Sequence, residues 1–453
     1  MTKPAHEPPA AADEPPAAAD EPPAAADEPP AAGDLLELTV GEVAHGGWCV
    51  ARSGTGPGRV IFVRHALPGE RVRARVTQTT SKFARADAVE ILDAAADRVE
   101  PPCPHARPGG CGGCDWQHAS LPAQRALKAA VISQQLRRIA GIDRDVLVEP
   151  LDGDEAGLGW RTRVRFAVRS DGTAGLRRHR SHQIVPVGAC PIAHDLVNAA
   201  GVTRRRWPGT RAVEVAVAAG SGERALIVSG AAIRSESWPK SVADSVLVSA
   251  RDGGLSAVRG SGFLQQRSAG RSWRVGAGTF WQVHPGAASA LAAAVLDALR
   301  PRPGDVALDL YCGAGLFAGV LAEAVGPDGT VIAIEEDTAA VRDARHNLRE
   351  TPWARVHKGD AAAMLARYGV SGASLAVLDP PRAGAARPVI ELLAAAGTDA
   401  ALSRIAYVSC DPATLARDLA IFGEQGWELE ALRAFDAFPM THHVECLATL
   451  ARW

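Results

Sequence analysis

The sequence predicts a multidomain protein with a small N-terminal β-barrel, a central α+β domain that carries a cysteine cluster, and a C-terminal α/β domain of the Rossmann-like type. At 453 residues the chain exceeds the length that one hydrophobic core usually serves. Short alternating apolar runs between glycine turns fill Leu35–Leu92, whereas buried strands alternate with helices after residue 276. We expect the barrel over 34–93, the central domain over 94–275 and the C-terminal domain over 276–453.

Residues 1–33 differ from the rest in composition, because they repeat Asp-Glu-Pro-Pro-Ala-Ala-Ala. Paired prolines exclude a helix interior and no large apolar residue recurs, so we expect a disordered acidic tail. The tail carries seven acidic side chains against Lys3, which leaves a net charge of +4 on the remainder of a chain whose total is -2. This weak positive balance permits nucleic-acid binding without requiring it.

The overall composition, with 47% hydrophobic and 22% charged residues, is that of a soluble globular protein. Only residues 1–3 precede the first proline, so we expect no signal peptide, and the apolar run Ala287–Leu299 is too short to span a bilayer. We therefore expect a cytoplasmic monomer without membrane contact. Disulfides are rare in that compartment, so clustered cysteines there indicate metal binding or catalysis.

Three cysteines, Cys103, Cys111 and Cys114, fall within twelve residues, and Gly112-Gly113 lies between the last two. A pair two residues apart lets both sulfurs of one turn reach the same metal. Cys190, which precedes a proline, is the best candidate for the fourth ligand. A set of four cysteines suits both tetrahedral zinc and an iron–sulfur cluster.

Basic side chains are concentrated in two places. In the barrel, the arginines of Arg71–Val76 alternate on one strand face, which favours a solvated face. In the central domain, Asp171 is the only acid within residues 160–182. This stretch is therefore open to two interpretations, a solvated face or a phosphate-binding surface. The arginines of that stretch are Arg161, Arg163, Arg165, Arg169, Arg177, Arg178 and Arg180.

The C-terminal domain opens with the strand Val306–Leu310, and Gly313 and Gly315 lie in the turn after it. These glycines let the backbone approach a ligand, and Glu335, at the end of the next strand, is placed to bind ribose hydroxyls. Glycines alone do not separate NAD from S-adenosylmethionine. The later strand end Asp379-Pro380-Pro381 resembles the catalytic edge of amino- and base-methyltransferases, which favours S-adenosylmethionine.

Cys410 lies at the end of another apolar strand, before Asp411-Pro412 and a helical run. The carboxyl ends of parallel strands are where ligands bind in open α/β sheets, so this thiol is a candidate nucleophile. A small buried hydrophobic residue is an equally good interpretation of a lone cysteine. Gln282, beside Phe280, and Glu445, near the C-terminus, are further polar candidates.

Together these residues resemble the RNA uracil-C5 methyltransferases that form 5-methyluridine. The resemblance extends from about Leu35 to the C-terminus, outside the acidic tail, and Met440 is one departure from its last motif. The matching motifs are Phe-Trp-Gln at 280–282, Asp-Leu-Tyr-Cys-Gly-Ala-Gly at 309–315, Asp-Pro-Pro-Arg-Ala-Gly at 379–384, Ser-Cys-Asp-Pro-Ala-Thr-Leu-Ala-Arg-Asp-Leu at 409–419 and Phe-Pro-x-Thr-x-His-Val-Glu at 438–445.

This resemblance implies an RNA-binding barrel of the TRAM type, structured rRNA or tRNA as substrate, and S-adenosylmethionine as methyl donor. It implies that Cys410 adds to C6 of uracil and that Glu445 removes the C5 proton. Phe280 would stack on the extruded base. The donor would be held by Gln282, Tyr311, Glu335 and Asp379. A [4Fe–4S] cluster, with zinc as the alternative, would be held by Cys103, Cys111, Cys114 and Cys190.

Two other functions stay open at this point. An amino-group methyltransferase could use Asp379-Pro380-Pro381 and would need no nucleophile. A zinc-bearing RNA-binding protein could carry a catalytically silent Rossmann-like domain.

Overall fold

The computed structural model describes residues 30–53, 58–153, 156–230, 242–250, 253–370, 372–399 and 402–452. The acidic tail expected over 1–33 lies almost wholly outside the described residues. Within these ranges, no helix is both long enough and apolar enough to cross a bilayer.

The N-terminal part is a six-stranded sheet in the order β1-β5-β6-β4-β3-β2. On β5, valine and alanine point into the core while the alternating arginines point outward. Arg71 and Arg73 form ion pairs with Glu37, Asp93 and Glu90, so this strand face is a charged, solvated one. The strands are β1 (Leu35–Thr39), β2 (Val43–Ala44), β3 (Trp48–Arg52), β4 (Val60–Arg64), β5 (Arg71–Thr79) and β6 (Phe83–Asp93).

The central part is a seven-stranded sheet in the order β10-β9-β8-β11-β12-β13-β14, followed by a separate hairpin, β15–β16. A short helix, α2 (Asp195–Ala199), covers part of it. Its core includes Trp160, Phe166 and Trp207. The strands are β8 (Arg163–Val168), β9 (Ala174–Arg177), β10 (Ile184–Pro186), β11 (Thr210–Val217), β12 (Arg224–Gly230), β13 (Ser245–Ser249), β14 (Leu255–Arg259), β15 (Phe263–Ser268) and β16 (Arg271–Gly276).

The C-terminal part is an eight-stranded sheet in the order β19-β18-β17-β20-β21-β23-β22-β7. The first five strands run parallel, and β23 inserts antiparallel between β21 and β22. The strands are β17 (Val306–Leu310), β18 (Thr330–Glu335), β19 (Ala354–Lys358), β20 (Leu375–Leu378), β21 (Arg404–Ser409), β22 (Glu428–Phe435) and β23 (Glu445–Ala451). The helices are α3 (Ala287–Leu299), α4 (Leu316–Val325), α5 (Thr338–Asn347), α6 (Ala361–Tyr368), α7 (Arg387–Asp399) and α8 (Pro412–Glu424).

Strand order places the binding crevice of this sheet. The chain runs outward from β17 through β18 to β19 and then returns to the other side of β17 as β20. The sheet therefore reverses its direction of winding between β17 and β20, and ligands bind at such a point beyond the carboxyl ends of the strands.

One segment that the sequence assigns to the central domain packs on the C-terminal sheet instead. Strand β7 (Val148–Glu149) pairs with β22, and helix α1 (Leu121–Gln135), which continues as a π-helical turn over Leu136–Ala140, packs against α8. Lys128 on α1 forms a fully buried ion pair with Asp436. An apolar helix face does not reveal from sequence which sheet it covers, because it fits any apolar surface.

Candidate active site

A cavity of about 1400 Å³ lies at the carboxyl ends of the parallel strands. Four strands deliver candidate side chains to it, because Tyr311 follows β17, Glu335 ends β18, Asp379 follows β20 and Cys410 follows β21. All the residues that the sequence assigns to catalysis or to the donor line this one cavity, namely Gln282, Tyr311, Glu335, Asp379, Cys410 and Glu445.

The turn after β17 is shaped to bring its backbone close to a ligand. Gly313 and Gly315 have φ values of 54° and 92°, and Tyr311 adopts the left-handed region as well, at 66°. Glu335 accepts a hydrogen bond from the Gly313 N–H through Oε2 (2.9 Å) and from the Asp337 N–H through Oε1 (2.8 Å). Each carboxylate oxygen has a second lone pair, so both oxygens can still accept from ribose hydroxyls.

Buried carboxyl groups surround this crevice. Burial raises the pKa of Asp309 to about 8 and that of Asp379 to about 7. Asp309 accepts a hydrogen bond from the Ala318 N–H at 2.7 Å and so ties the turn to α4. Of these two acids, Asp379 lines the cavity, and its carboxylate, when ionised, offers negative charge to a cationic ligand such as a sulfonium.

Cys410 occupies the single residue between a strand and a helix cap. Asp411 caps α8 by accepting hydrogen bonds from the Ala413 and Thr414 N–H groups through Oδ1, at 3.0 and 2.9 Å. Burial, followed by the charge of Glu445, raises the pKa of the Cys410 thiol to about 11, while Arg382 lowers it through its charge and a hydrogen bond. The thiol is therefore largely protonated near neutral pH, and Arg382 is the cation placed to stabilise its thiolate.

Glu445 begins β23 and is only 3% exposed. In the antiparallel pairing of β21 with β23, Ser409 lies opposite Cys446, so the next pair along the register is Cys410 and Glu445. Burial and the charge of Asp379 raise the pKa of Glu445 well above its usual range, and Arg382 opposes them. A nucleophile candidate, a base candidate and one arginine are therefore neighbours in the cavity.

The central sheet holds the loop that carries Phe280 and Gln282. Thr162 donates from N and from Oγ1 to the Val283 carbonyl at 2.9 and 2.8 Å, and Arg163 donates to the Thr279 carbonyl at 2.9 Å. Gln282 is 8% exposed, whereas Phe280 is 63% exposed at the cavity wall. An exposed aromatic ring at the edge of a cavity is suited to stacking on a planar base.

Comparison with known proteins identifies the family. The tRNA (Uracil-5-)-methyltransferase family matches residues 360–453, and the TRAM domain matches 32–89. An uncharacterized RNA methyltransferase from Streptomyces avermitilis is 51% identical over 433 residues, which are 92% of this chain and 98% of the relative. A 23S rRNA (uracil(1939)-C(5))-methyltransferase from Pseudomonas fluorescens is 35% identical over 86% of this chain and 87% of its own length. The chain belongs to the RNA uracil-C5 methyltransferase family.

Among solved structures, a tRNA (uracil-54, C5)-methyltransferase from Pyrococcus abyssi, in complex with S-adenosyl-L-homocysteine, covers 92% of this chain and 100% of its own with a TM-score of 0.70. At 21% identity this likeness concerns the fold. The predicted TRAM-type N-terminal part and Rossmann-like C-terminal part are confirmed. The protein is an S-adenosylmethionine-dependent RNA methyltransferase.

In this family member, the four cysteines of the predicted cluster line a second cavity of about 730 Å³ as free thiols. Gln117 spans their loop, because its Oε1 accepts from the Cys103 N–H at 3.1 Å and its Nε2 donates to the Cys114 sulfur at 3.1 Å. Among the described residues, no three histidine, cysteine or acidic side chains form a group that could hold a metal ion. The donor set thus fits a four-cysteine ligand shell in composition.

Three contacts of the site escaped sequence reasoning. Arg382 lies within a recognised motif, but nothing in the motif shows that it faces both Cys410 and Glu445. His45 of the TRAM sheet pairs with Asp411 at 3.1 Å, and Asp115, directly after Cys114, pairs with His442 at 2.6 Å. The members of the last two pairs are 366 and 327 residues apart, so no local pattern could join them.

Proposed function

We propose that the enzyme transfers a methyl group from S-adenosylmethionine to C5 of a uridine in structured RNA, either rRNA or tRNA, through a covalent bond between Cys410 and C6. The observation that carries this proposal is the placement of Cys410, Glu445 and Arg382 in one cavity with the donor crevice. The uracil-C5 methyltransferase relatives support the choice of base and atom.

Covalent addition is needed because C5 of uracil is a weak nucleophile. The Cys410 thiolate would form a bond to C6, and the electron pair of the C5–C6 double bond would move towards O4. C5 would then take the methyl group from the donor, whose sulfur leaves with the electron pair of the broken bond. Arg382 would favour the thiolate form of the cysteine at the start of this sequence.

Glu445 would complete the reaction as the base. Its carboxylate would take the C5 proton, the C5–H electron pair would restore the double bond, and the C6–S bond would break to release Cys410. A raised pKa makes a carboxylate a stronger base, so the burial of Glu445 suits this step. Gln282, Tyr311, Glu335 and Asp379 would hold the donor, and Phe280 would stack on the extruded uracil.

We also propose that Cys103, Cys111, Cys114 and Cys190 hold a [4Fe–4S] cluster, with zinc as the alternative. Two observations support this proposal. The four cysteines are free thiols that share one cavity. The Cys111 sulfur accepts a hydrogen bond from the Gly113 N–H, and the Cys114 sulfur accepts one from Gln117. Anaerobic purification followed by metal analysis separates the two: iron with broad absorption near roughly 400 nm is expected, and zinc without that absorption would contradict the cluster. The cytoplasmic location and the monomeric state stay predictions.

The decisive experiment uses RNA that contains 5-fluorouridine, whose C5 substituent cannot be removed as a proton. The wild-type enzyme should form a denaturation-resistant adduct with this RNA. Cys410→Ala should form none and should lose turnover, whereas Cys446→Ala, a matched change on the adjacent strand, should form the adduct. Methylation by Cys410→Ala would contradict the mechanism and favour an amino-group methyltransferase.

The identity of the RNA requires a separate experiment. Mapping of 5-methyluridine in the rRNA and tRNA of a deletion strain should reveal one or more missing sites. A full complement of 5-methyluridine in that strain would contradict the proposed product.

A further inference from the structure

A largely buried carboxylate joins the cysteine loop (Cys103–Cys114) to the segment that carries Glu445. Asp115 is 9% exposed at its side chain, and its Oδ2 accepts hydrogen bonds from the His442 backbone N–H (3.2 Å) and from His442 Nδ1 (2.6 Å). Its Oδ1 faces Arg64 of the TRAM sheet at 3.4 Å. Asp115 therefore contacts the barrel and the catalytic segment while its backbone continues the cysteine loop.

The main chain reinforces this connection. The N–H groups of Asp115 and Trp116 both donate to the Met440 carbonyl, at 2.9 and 3.1 Å. Gln124 Oε1 accepts from the Met440 N–H at 2.7 Å, and Met440 itself has a φ of 66°, a conformation that costs energy in a residue with a side chain. The segment from Met440 to Glu445 thus keeps a strained turn because the cysteine loop and α1 bond to it.

The orientation of His442 follows from these bonds. Because Nδ1 faces Asp115, the opposite edge of the ring points away from the cysteine loop. The His442 and His443 rings lie 4.1 Å apart at their centroids, and both line the cavity with Cys410 and Glu445. Three residues along the chain from His442, Glu445 begins β23.

We propose that Asp115 and His442 are positioning residues that aim Glu445 at the C5 proton. The inference rests on the proposed function, since it concerns the proton-removal step of that reaction. Neither residue exchanges a proton with the substrate. In that step the C5–H bond breaks, the proton passes to the Glu445 carboxylate, the double bond re-forms and the Cys410 sulfur leaves with the electron pair of its bond.

Loss of this positioning has a specific consequence. Thiolate addition and methyl transfer precede proton removal, so a misplaced Glu445 would leave the methylated RNA attached to Cys410. A misplacement of about 1 Å can lower a rate by roughly 100-fold. An enzyme that is merely misfolded would instead fail to bind RNA or donor and would form no adduct.

The test compares two substitutions of His442. In His442→Asn the amide nitrogen can donate to Asp115 as Nδ1 does, whereas His442→Gln places its amide at the other ring position and loses that bond. We expect His442→Gln and Asp115→Ala to lower kcat by roughly 10- to 100-fold with little change in KM, and to accumulate a denaturation-resistant adduct with unmodified RNA. His442→Asn should retain turnover to within about threefold and accumulate no adduct.

Controls separate this inference from the proposed function. If the wild type forms no adduct with 5-fluorouridine RNA, the proposed function fails. If the wild type forms that adduct but neither His442→Gln nor Asp115→Ala accumulates one with unmodified RNA, the positioning role alone is wrong. Equal losses in His442→Asn and His442→Gln would also overturn it, because they would assign His442 a chemical role instead.

Discussion

At the scale of residues, we expect the acids of the cavity to influence how it binds a charged donor. Asp379 lines the cavity, and burial raises its pKa to about 7, so its ionised fraction changes near neutral pH. The donor carries a positive sulfonium, and its demethylated product carries an uncharged thioether. A carboxylate in this place therefore favours the substrate over the product when it is ionised.

We predict that affinity for S-adenosylmethionine rises by up to about tenfold between pH 6 and pH 8.5, while affinity for S-adenosylhomocysteine changes much less. The affinity rises with pH because Asp379 is protonated at the lower pH and gains its negative charge as the pH rises through its pKa of about 7. Calorimetric titration of both ligands across this range measures the effect. Asp379→Asn should flatten the pH dependence, and an unchanged slope in that variant would refute the assignment.

At the scale of elements, the TRAM sheet touches the N-terminal cap of α8, next to Cys410. His45, in the turn between β2 and β3, pairs with Asp411, the residue that caps α8 directly after Cys410. The hydrogen bond that His45 donates to Asp411 raises the pKa of His45 despite partial burial. Burial acts to raise the pKa of Asp411. The hydrogen bonds that Asp411 accepts from His45 and from Thr414 outweigh this effect and hold its pKa far below the usual range.

The two pKa shifts set the pH window of this contact. The raised pKa of His45 contributes stability that is full below about pH 6.5 and is lost as the pH rises through the folded value. The lowered pKa of Asp411 contributes stability that is full above about pH 4 and is lost as the pH falls towards its folded value. The contact is therefore complete between these limits and weakens as the pH rises through the folded-state pKa of His45.

We predict that His45 titrates above 6.5 in the wild-type protein and that its pKa falls in Asp411→Asn. Asparagine caps helices about as well as aspartate, so this substitution removes the charge and keeps the cap. NMR titration of the imidazole resonances measures both values. The same His45 pKa in the two proteins would show that the contact is absent in solution.

At the scale of the whole molecule, the TRAM sheet and the central sheet bring arginines together. Arg85 of β6 lies over the Trp48 ring at 5.5 Å, and the charge of Arg180 from the central part adds to burial in lowering its pKa. Neighbouring guanidinium groups repel one another, so their proximity favours an anion between them. RNA phosphate is the anion that a methyltransferase of this family meets.

We predict that Arg85→Gln weakens RNA binding and lowers the slope of log K against log salt by about one, because one phosphate contact is lost. Arg137→Gln is the matched control, since Arg137 forms an exposed ion pair with Asp143. Fluorescence anisotropy with the RNA at several salt concentrations measures both slopes. Equal slopes in Arg85→Gln and in the wild type would exclude Arg85 from phosphate binding.

Sequence reasoning succeeded where chemistry depends on local pattern. The strands that precede Asp379 and Cys410 and the glycine turn at 313–315 were all recognisable, because strand-end motifs are short and contiguous. The domain to which α1 and β7 attach was not recognisable, because the sequence of an apolar helix or of a two-residue strand does not indicate which sheet it packs against. The arginines of β5 pair with acids from neighbouring strands, which one strand's sequence does not show.

The sequence by itself determined the family, the Rossmann-like and TRAM-type parts and the residues that line the cavity, because periodicity and short motifs encode local structure. Only the tertiary structure decided that Arg382 acts on both Cys410 and Glu445, that His45 touches Asp411 and that Asp115 holds His442. The physical reason is distance along the chain: Asp115 and His442 are 327 residues apart, and their pairing depends on how three sheets pack together.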